Sequence, residues 1–291
     1  MLSFRSFASF AGLVSLAFGA EYTQVPDYGD NPAGVDMYIY VPDKLANPPP
    51  VVLGIHWCHG SAEAFYSGTQ WKTQADSKGF IVIYPDSPHT ADKCWDVASN
   101  ATLTHGGGGD SNSLANMVEY VIDTYDADAS RVFVTGVSSG AMMTNVMAAV
   151  YPNLFKAAAA QSGVAAGCFA SANDVVDEWN SACAEGTVIK TQKEWVAVVD
   201  GMGGTAPYPK MQIFHGSADD VLDIQNFEEE IKQWTGIFGV SETPTSTEPD
   251  TPEAGYTLTN YGENVQAIYA EGAGHNLPGD MSPLNLEWFG L

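Results

Sequence analysis

A serine stands at the centre of the most informative short pattern in this chain, Gly136-Val137-Ser138-Ser139-Gly140. A serine hydroxyl attacks a carbonyl carbon when a neighbouring base removes its proton. The pattern G-x-S-x-G fits that chemistry when it lies between a strand and a helix, because the sharp turn exposes the serine. Ser138 is therefore predicted to be the nucleophile of an acyl-transfer reaction.

The residues on either side of Ser138 predict the strand and the helix that this turn requires. Residues 131–135 are β-branched and aromatic, which is typical of a buried strand. Residues 141–150 are rich in Ala and Met, which favour a helix, and Pro152 follows them. The N-terminus of such a helix offers free N–H groups to a developing anion.

A base and an orienting acid are expected on two later loops, because a serine nucleophile needs both. Asp219 follows a predicted strand at 211–214, and His275 follows another at 265–269. Loops at the carboxyl ends of parallel strands meet at one edge of the sheet. Asp220 is the alternative acid, and position in the turn favours Asp219.

Backbone N–H groups are expected to stabilise the oxyanion of the reaction. One belongs to Ser139, the residue after the nucleophile, and the second comes from the loop after a predicted strand at 51–55. Cys58 is the predicted donor on that loop, and Trp57 is the alternative.

The remaining histidines do not indicate a metal site. Four of them lack the spacing of H-E-x-x-H or a related motif: His56, His59, His89 and His105. His215 lies next to the Asp219 turn and is expected to order that loop rather than react. No metal is predicted.

Strand-like and helical segments alternate along the chain, which is the pattern of a doubly wound, mostly parallel α/β sheet. Strands are predicted at 37–41, 51–55, 81–84, 131–135, 157–161, 211–214 and 265–269. Helices are predicted at 113–125, 141–150 and 227–238. The order Ser, Asp, His on such a sheet predicts the α/β-hydrolase fold with a nucleophile elbow. Residues 241–255 are rich in Ser, Thr, Pro and Glu and are expected to form a loop inside one domain.

Residues 1–20 have the composition of a secretory signal peptide, with Arg5 before an apolar stretch that is too short to span a membrane. The rest, 21–291, is expected to be a single catalytic domain without a carbohydrate-binding module. Secretion permits disulfides, and the four cysteines allow three pairings. Loop placement favours Cys58 with Cys94 and Cys168 with Cys183. Asn100, in Asn-Ala-Thr, is a predicted glycosylation site.

The charge of the chain argues against nucleic acid as a partner. Formal net charge is −24, and Arg131 is the single arginine beyond the predicted signal peptide. Such a surface cannot neutralise phosphates. No stretch approaches membrane length, so no membrane contact is expected, and the charge is interpreted as an aid to solubility.

Five longer strings carry a resemblance to a known family: Cys94-Trp95-Asp96, residues 104–113, residues 134–145, His215-Gly216-Ser217-Ala218-Asp219 and Gly274-His275-Asn276. Over essentially the whole mature length, the chain resembles the secreted fungal-type acetylxylan esterases of carbohydrate esterase family 1. It resembles the feruloyl esterases of that family nearly as closely.

The resemblance implies a triad of Ser138, Asp219 and His275 and an oxyanion loop at Trp57-Cys58-His59-Gly60. It implies an extracellular enzyme that removes acetyl groups from acetylated xylan by two-step acyl transfer, without a cofactor. A monomer is expected, although the sequence does not fix the oligomeric state. Release of ferulate from feruloylated arabinoxylan is the alternative. A non-catalytic wall-binding protein is less well supported, since binding does not need an ordered triad.

Trp179 is the predicted substrate contact. It lies between the nucleophile and the acid in the chain, in the segment bounded by Cys168 and Cys183. A tryptophan there would stack on a sugar or form a wall of the acyl pocket. Simple packing of the side chain is the alternative.

Overall fold

The computed structural model describes residues 20–291, so the predicted signal peptide lies outside the described residues except for residue 20. Ten strands form one sheet in that range. They are β1 (Glu21–Val25), β2 (Asp36–Val41), β3 (Val51–Ile55), β4 (Ile81–Asp86), β5 (Val132–Val137), β6 (Ala157–Gln161), β7 (Lys210–Gly216), β8 (Ser246–Pro249), β9 (Tyr256–Asn260) and β10 (Val265–Ala270). The helices are α1 (Ala62–Gly68), α2 (Trp71–Lys78), α3 (Asp110–Tyr125), α4 (Ser139–Val150), α5 (Ser181–Ala184), α6 (Gln192–Asp200), α7 (Gln225–Ile237) and α8 (Ser282–Phe289).

The strand order is β1-β2-β4-β3-β5-β6-β7-β10-β9-β8. The central strands from β4 to β10 pair in parallel, and the pairs at both ends of the sheet are antiparallel. Because parallel strands share one direction, the loops after β3, β5, β6, β7 and β10 open on the same edge. That edge holds every predicted catalytic residue.

Helices cover both faces of the sheet, since both faces of its central strands are apolar. Val52 and Phe133 face α1, α2 and α8 in one buried cluster. Leu53 and Val134, the next residues along those strands, face α3, α4, α6 and α7 in the other. Alternate side chains of one strand thus enter opposite cores. No helix in the described part of the chain is long and apolar enough to cross a membrane.

The predicted elements are present, with bounds that shift by a few residues at most. Strands β3 and β6 have the predicted ends, and α3 begins at Asp110 rather than residue 113. The prediction of a continuous loop at 241–255 is wrong in one respect. Ser246–Pro249 forms an exposed edge strand against β9, because the neighbouring β9 offers an unpaired row of backbone groups.

Candidate active site

Ser138 occupies the turn between β5 and α4 in a conformation that isolates its hydroxyl. Its backbone angles are φ 57° and ψ −122°, a region that non-glycine residues rarely adopt. Two glycines make the turn possible. A Cβ on Gly136 would lie 2.2 Å from the carbonyl oxygen of Gly140, and one on Gly140 would lie 2.2 Å from that of Ile55. The turn therefore packs backbone against backbone, as G-x-S-x-G requires.

His275 bridges Ser138 and Asp219. Its Nε2 lies 2.8 Å from the Oγ of Ser138, and its Nδ1 lies 2.8 Å from Oδ2 of Asp219. An ionised carboxylate only accepts hydrogen bonds, so Nδ1 carries the proton and donates it to Asp219. Nε2 is then unprotonated and accepts the hydrogen bond from the serine hydroxyl. This arrangement poises the imidazole to remove the proton of Ser138.

The carboxylate of Asp219 is buried, and both of its oxygens accept hydrogen bonds. Its Oδ1 accepts hydrogen bonds from the backbone N–H groups of Val221 and Leu222, both at 2.9 Å. Burial by itself raises the pKa of Asp219, but the hydrogen bonds from His215, His275 and these amides outweigh it and hold the pKa well below its ordinary value. The neighbouring Asp220 is exposed and takes no part in this arrangement.

His215 lies behind Asp219, fully buried. Its Nε2 donates to the carbonyl oxygen of Leu222 at 2.9 Å and lies 3.2 Å from Oδ2 of Asp219. His215 thus contacts the acid and the turn that carries it, and it does not contact Ser138 or His275. Its position agrees with the predicted role in ordering the loop.

A second buried acid connects this region to α4, the helix that follows Ser138. Oε1 of Glu230, on α7, accepts a hydrogen bond from Nδ2 of Asn145 on α4 at 2.6 Å. Complete burial raises the pKa of Glu230 to about 7. Nε1 of Trp234 donates to the other side of the Asn145 amide at 2.8 Å. These contacts fix α4 against α7, which follows the Asp219 loop.

The loop after β3 is braced by a histidine and a disulfide. His56 is fully buried; its Nδ1 donates to the carbonyl oxygen of Trp57 at 2.7 Å, and its Nε2 accepts from the N–H of Ser87 at 3.1 Å. The structure joins Cys58 to Cys94. Cys58 is thereby held beside the elbow, and its N–H donates to no acceptor within residues 20–291.

The loop that carries Cys94 is also attached to the elbow. Oγ of Ser139 accepts a hydrogen bond from the N–H of Trp95 at 2.7 Å, and Nε1 of Trp95 donates to the carbonyl oxygen of His56 at 2.8 Å. Trp95 is buried, so its role is structural. The N–H of Ser139, in the first turn of α4, has no acceptor among residues 20–291, because the first N–H groups of a helix lack an intrahelical partner.

A cavity of about 390 Å³ opens above Ser138 and His275. The two predicted oxyanion donors, Cys58 and Ser139, line it. Trp179 lines it too, with 52% of its surface exposed and its ring edge-on to Phe169 at 5.2 Å between centroids. A cavity of this size is within the range of small-molecule sites, about 300–1,000 Å³.

The segment that carries Trp179 is fixed from two sides. A disulfide joins Cys168 to Cys183 at its ends. In its middle, the N–H of Asp177 donates to Oδ1 of Asp96 at 3.0 Å. Asp96 belongs to the same loop as Cys94, so the wall of the cavity is attached to the loop that braces the predicted oxyanion donors.

The acidic wall of the cavity was not found from sequence. Asp92, Asp177 and Glu178 line it, and no pattern of residue types indicates this, since their segments are irregular. Burial and the adjacent carboxylate of Asp92 raise the pKa of Asp177 to about 6. Asp92 and Asp177 also lie near Cys94 in a grouping of potential metal ligands. The sulfur of Cys94 is in a disulfide, so the grouping offers two carboxylates only.

Comparison with known proteins gives three close similarities. The profile of the esterase PHB depolymerase family matches residues 35–249. Acetylxylan esterase A of Emericella nidulans is 54% identical over 274 residues, which cover 93% of this chain and 90% of that protein. Acetylxylan esterase A of Aspergillus oryzae is 53% identical over 92% of this chain and 88% of that protein.

Solved structures show the same similarity to acetylxylan esterases. The acetyl xylan esterase from Aspergillus awamori matches with a TM-score of 0.90 and 51% identity, covering 93% of this chain and 99% of that one. An S-formylglutathione hydrolase from Agrobacterium tumefaciens shares the fold alone, with a TM-score of 0.58 and 17% identity over 94% of this chain and 95% of that one. The predicted α/β-hydrolase fold is confirmed.

Proposed function

Because this chain belongs to the esterase PHB depolymerase family and is more than half identical to fungal acetylxylan esterases, we propose that it removes acetyl groups from acetylated xylan. It is a carboxylic ester hydrolase. The observation that carries the mechanism is the pair of 2.8 Å hydrogen bonds that joins Ser138, His275 and Asp219. The named relatives favour this activity over ferulate release.

Acylation begins when Nε2 of His275 removes the hydroxyl proton of Ser138. Oγ attacks the acetyl carbonyl carbon, and the N–H groups of Ser139 and Cys58 stabilise the oxyanion that forms. Each such preorganised donor contributes about 10²–10³ to the rate. The imidazolium then gives its proton to the sugar oxygen, the ester bond breaks, and the sugar hydroxyl leaves.

Deacylation repeats the sequence with water. Nε2 of His275 removes a proton from a water molecule, which attacks the acetyl group on Ser138. The second oxyanion collapses, Oγ regains its proton, and acetate leaves. Asp219 holds the imidazole in the required tautomer and stabilises its positive charge in both steps. This chemistry uses no cofactor.

The chain is also proposed to act outside the cell as a monomer of one catalytic domain, after removal of residues 1–20. Two disulfides and the formal net charge of −24 carried by the full sequence suit that environment. Asn100 is exposed within its Asn-Ala-Thr sequence, so its side chain is accessible for a glycan. Loss of the glycan in an Asn100→Gln variant would be visible as a lower mass of the secreted protein.

Activity is expected to fall on acidification from neutral pH to about pH 4, because a protonated imidazole cannot act as the base. Only an unprotonated Nε2 can take the proton of Ser138. Asp219 does not cause this loss, because its pKa is held well below the ordinary range and it stays ionised there. The measurement is kcat/KM for a soluble acetate ester against pH. A flat profile down to about pH 4 would contradict the assignment of histidine as base.

Trp179→Ala is expected to raise the activity on bulky acyl esters relative to acetyl esters by about tenfold or more. A filled pocket rejects an oversized group at a cost of about 1–3 kcal/mol, which the truncation removes. The measurement is the ratio of kcat/KM for a bulky and an acetyl ester of one alcohol. Ile189→Ala is the control, since Ile189 is exposed outside the cavity. An unchanged ratio would leave Trp179 as a packing residue.

The experiment that tests the proposed substrate compares two products from one polymer. Purified protein is incubated with xylan that carries both acetyl and feruloyl groups, and free acetate and ferulate are measured over time. Acetate is expected to appear far faster. Ferulate as the main product would replace the proposal by its alternative.

A further inference from the structure

A second cavity, of about 360 Å³, adjoins the catalytic one, and two residues line both. Trp57 and Asn276 line both cavities, so they form the boundary between them. The second cavity, here called the side groove, is bounded by α1, α2 and the loop from Asn276 to Ser282. It opens to solvent along the exposed residues Gln70 and Asp280.

The side groove lies on the same edge of the sheet as Ser138. Val137 and Gln161, at the carboxyl ends of β5 and β6, line it. Ser162, also in its wall, donates a hydrogen bond from Oγ to the carbonyl oxygen of His275 at 2.9 Å. The groove is therefore built onto the loop that carries the catalytic base.

Its chemistry suits a neutral, hydroxyl-rich ring. The half-buried ring of Trp57 lines it, together with the exposed amide groups of Gln70 and Asn276. An indole ring packs against the C–H face of a sugar, and amides both donate to and accept from hydroxyls. Among residues 20–291, no lysine or arginine lines the side groove and the carboxylate of Asp280 does, which disfavours an anionic ligand there.

We propose that the side groove binds a further sugar residue of the same polysaccharide whose acetylated residue lies at Ser138. This rests on the proposed function. A polymer must leave the catalytic cavity along the surface, and the side groove adjoins that cavity at Trp57 and Asn276. The groove thereby favours long substrates over small esters, because only a chain that spans both cavities gains the second set of contacts.

Two variants test the proposal from opposite directions. Gln70→Ala removes an exposed amide that makes no capping hydrogen bond to α2. Gly68→Leu fills the groove: a Cβ there meets nothing closer than the ring of Trp57 at 3.8 Å. Gln74→Ala, on the same helix but outside the groove, is the matched control. Thermal melting verifies that each variant is folded.

The measurement is kcat/KM for acetylated xylo-oligosaccharides of increasing length, divided by kcat/KM for a small aryl acetate. In the wild type this ratio is expected to rise with length until the groove is filled. Both groove variants are expected to lower it by about tenfold on long substrates, with Gln74→Ala unchanged. If the wild-type ratio does not depend on substrate length, or if both groove variants keep the wild-type ratio, the side groove is not a sugar site. The proposed function is unaffected by either result. A wild type that cleaves aryl acetate but no acetylated oligosaccharide overturns the proposed function, and the side groove with it.

Discussion

Ser138→Ala is expected to lower kcat for acetate release by about 10⁵–10⁶, with the fold intact. The hydroxyl forms the covalent bond to the acyl group, and among the described residues it is the hydroxyl that is hydrogen-bonded to Nε2 of His275. Alanine is expected to adopt the same backbone turn, since serine and alanine both carry a Cβ and are equally constrained at φ 57°. The measurements are steady-state acetate release and a thermal melt of the variant beside the wild type.

Ser139→Ala is the matched control for this variant. Its hydroxyl accepts the hydrogen bond from Trp95, so its loss should cost stability and some activity, and the nucleophile remains. Ser139→Ala is therefore expected to keep far more activity than Ser138→Ala. The opposite ranking would assign the attack to Ser139.

Asp219→Asn is expected to lower kcat by about 10⁴. The Asn oxygen can still accept from Val221 and Leu222, but its NH₂ group then faces the Nδ1–H of His275. Two donors cannot pair, so the imidazole changes tautomer and presents Nε2–H to Ser138. It can no longer remove the serine proton. The measurement is kcat on a soluble acetate ester, with a melt to verify folding.

Asp220→Asn controls for the charge change at the same turn. Asp220 is exposed and contacts neither histidine, so its substitution is expected to leave kcat within about twofold. A severe loss in Asp220→Asn together with a mild one in Asp219→Asn would transfer the role of the acid to Asp220.

The sequence was most informative where one physical constraint acts on consecutive residues. Strands β3 and β6 are continuous apolar runs buried on both faces, and their bounds are those predicted. The elbow was equally predictable, because few arrangements other than a strand, a tight turn and a helix use G-x-S-x-G in this setting.

Elements with mixed exposure were missed. Helix α2 buries only Trp71 and Ala75, so its sequence lacks a clear helical period. Helix α6 did carry a signal: Thr191 and Glu194 form a capping box, a pattern visible in the sequence. Edge strand β8 depends on β9 for its only pairing within the described sheet, and no local pattern marks β8.

The walls of the cavity could not be predicted, because contacts between distant segments place them. Asp177 reaches the cavity through its hydrogen bond to Asp96, which lies 81 residues away along the chain. The sequence singles out Ser138, Asp219 and His275 as candidates, but only the fold gives the distances between them. The contact of His215 with Asp219 was easier to predict, because the two residues are four apart in the sequence and lie in the same turn.

Covalent labelling with an aryl fluorophosphonate tests the central claim most directly. This reagent phosphonylates an activated serine in the geometry of the tetrahedral intermediate. Peptide mass analysis locates the adduct while acetate release from acetylated xylan is followed in the same samples. We expect one adduct per protein, on Ser138, with acetate release falling in proportion to labelling and Asp219→Asn reacting far more slowly. Full labelling of Ser138 with acetate release unchanged would contradict the account, as would complete inhibition with the adduct on another residue.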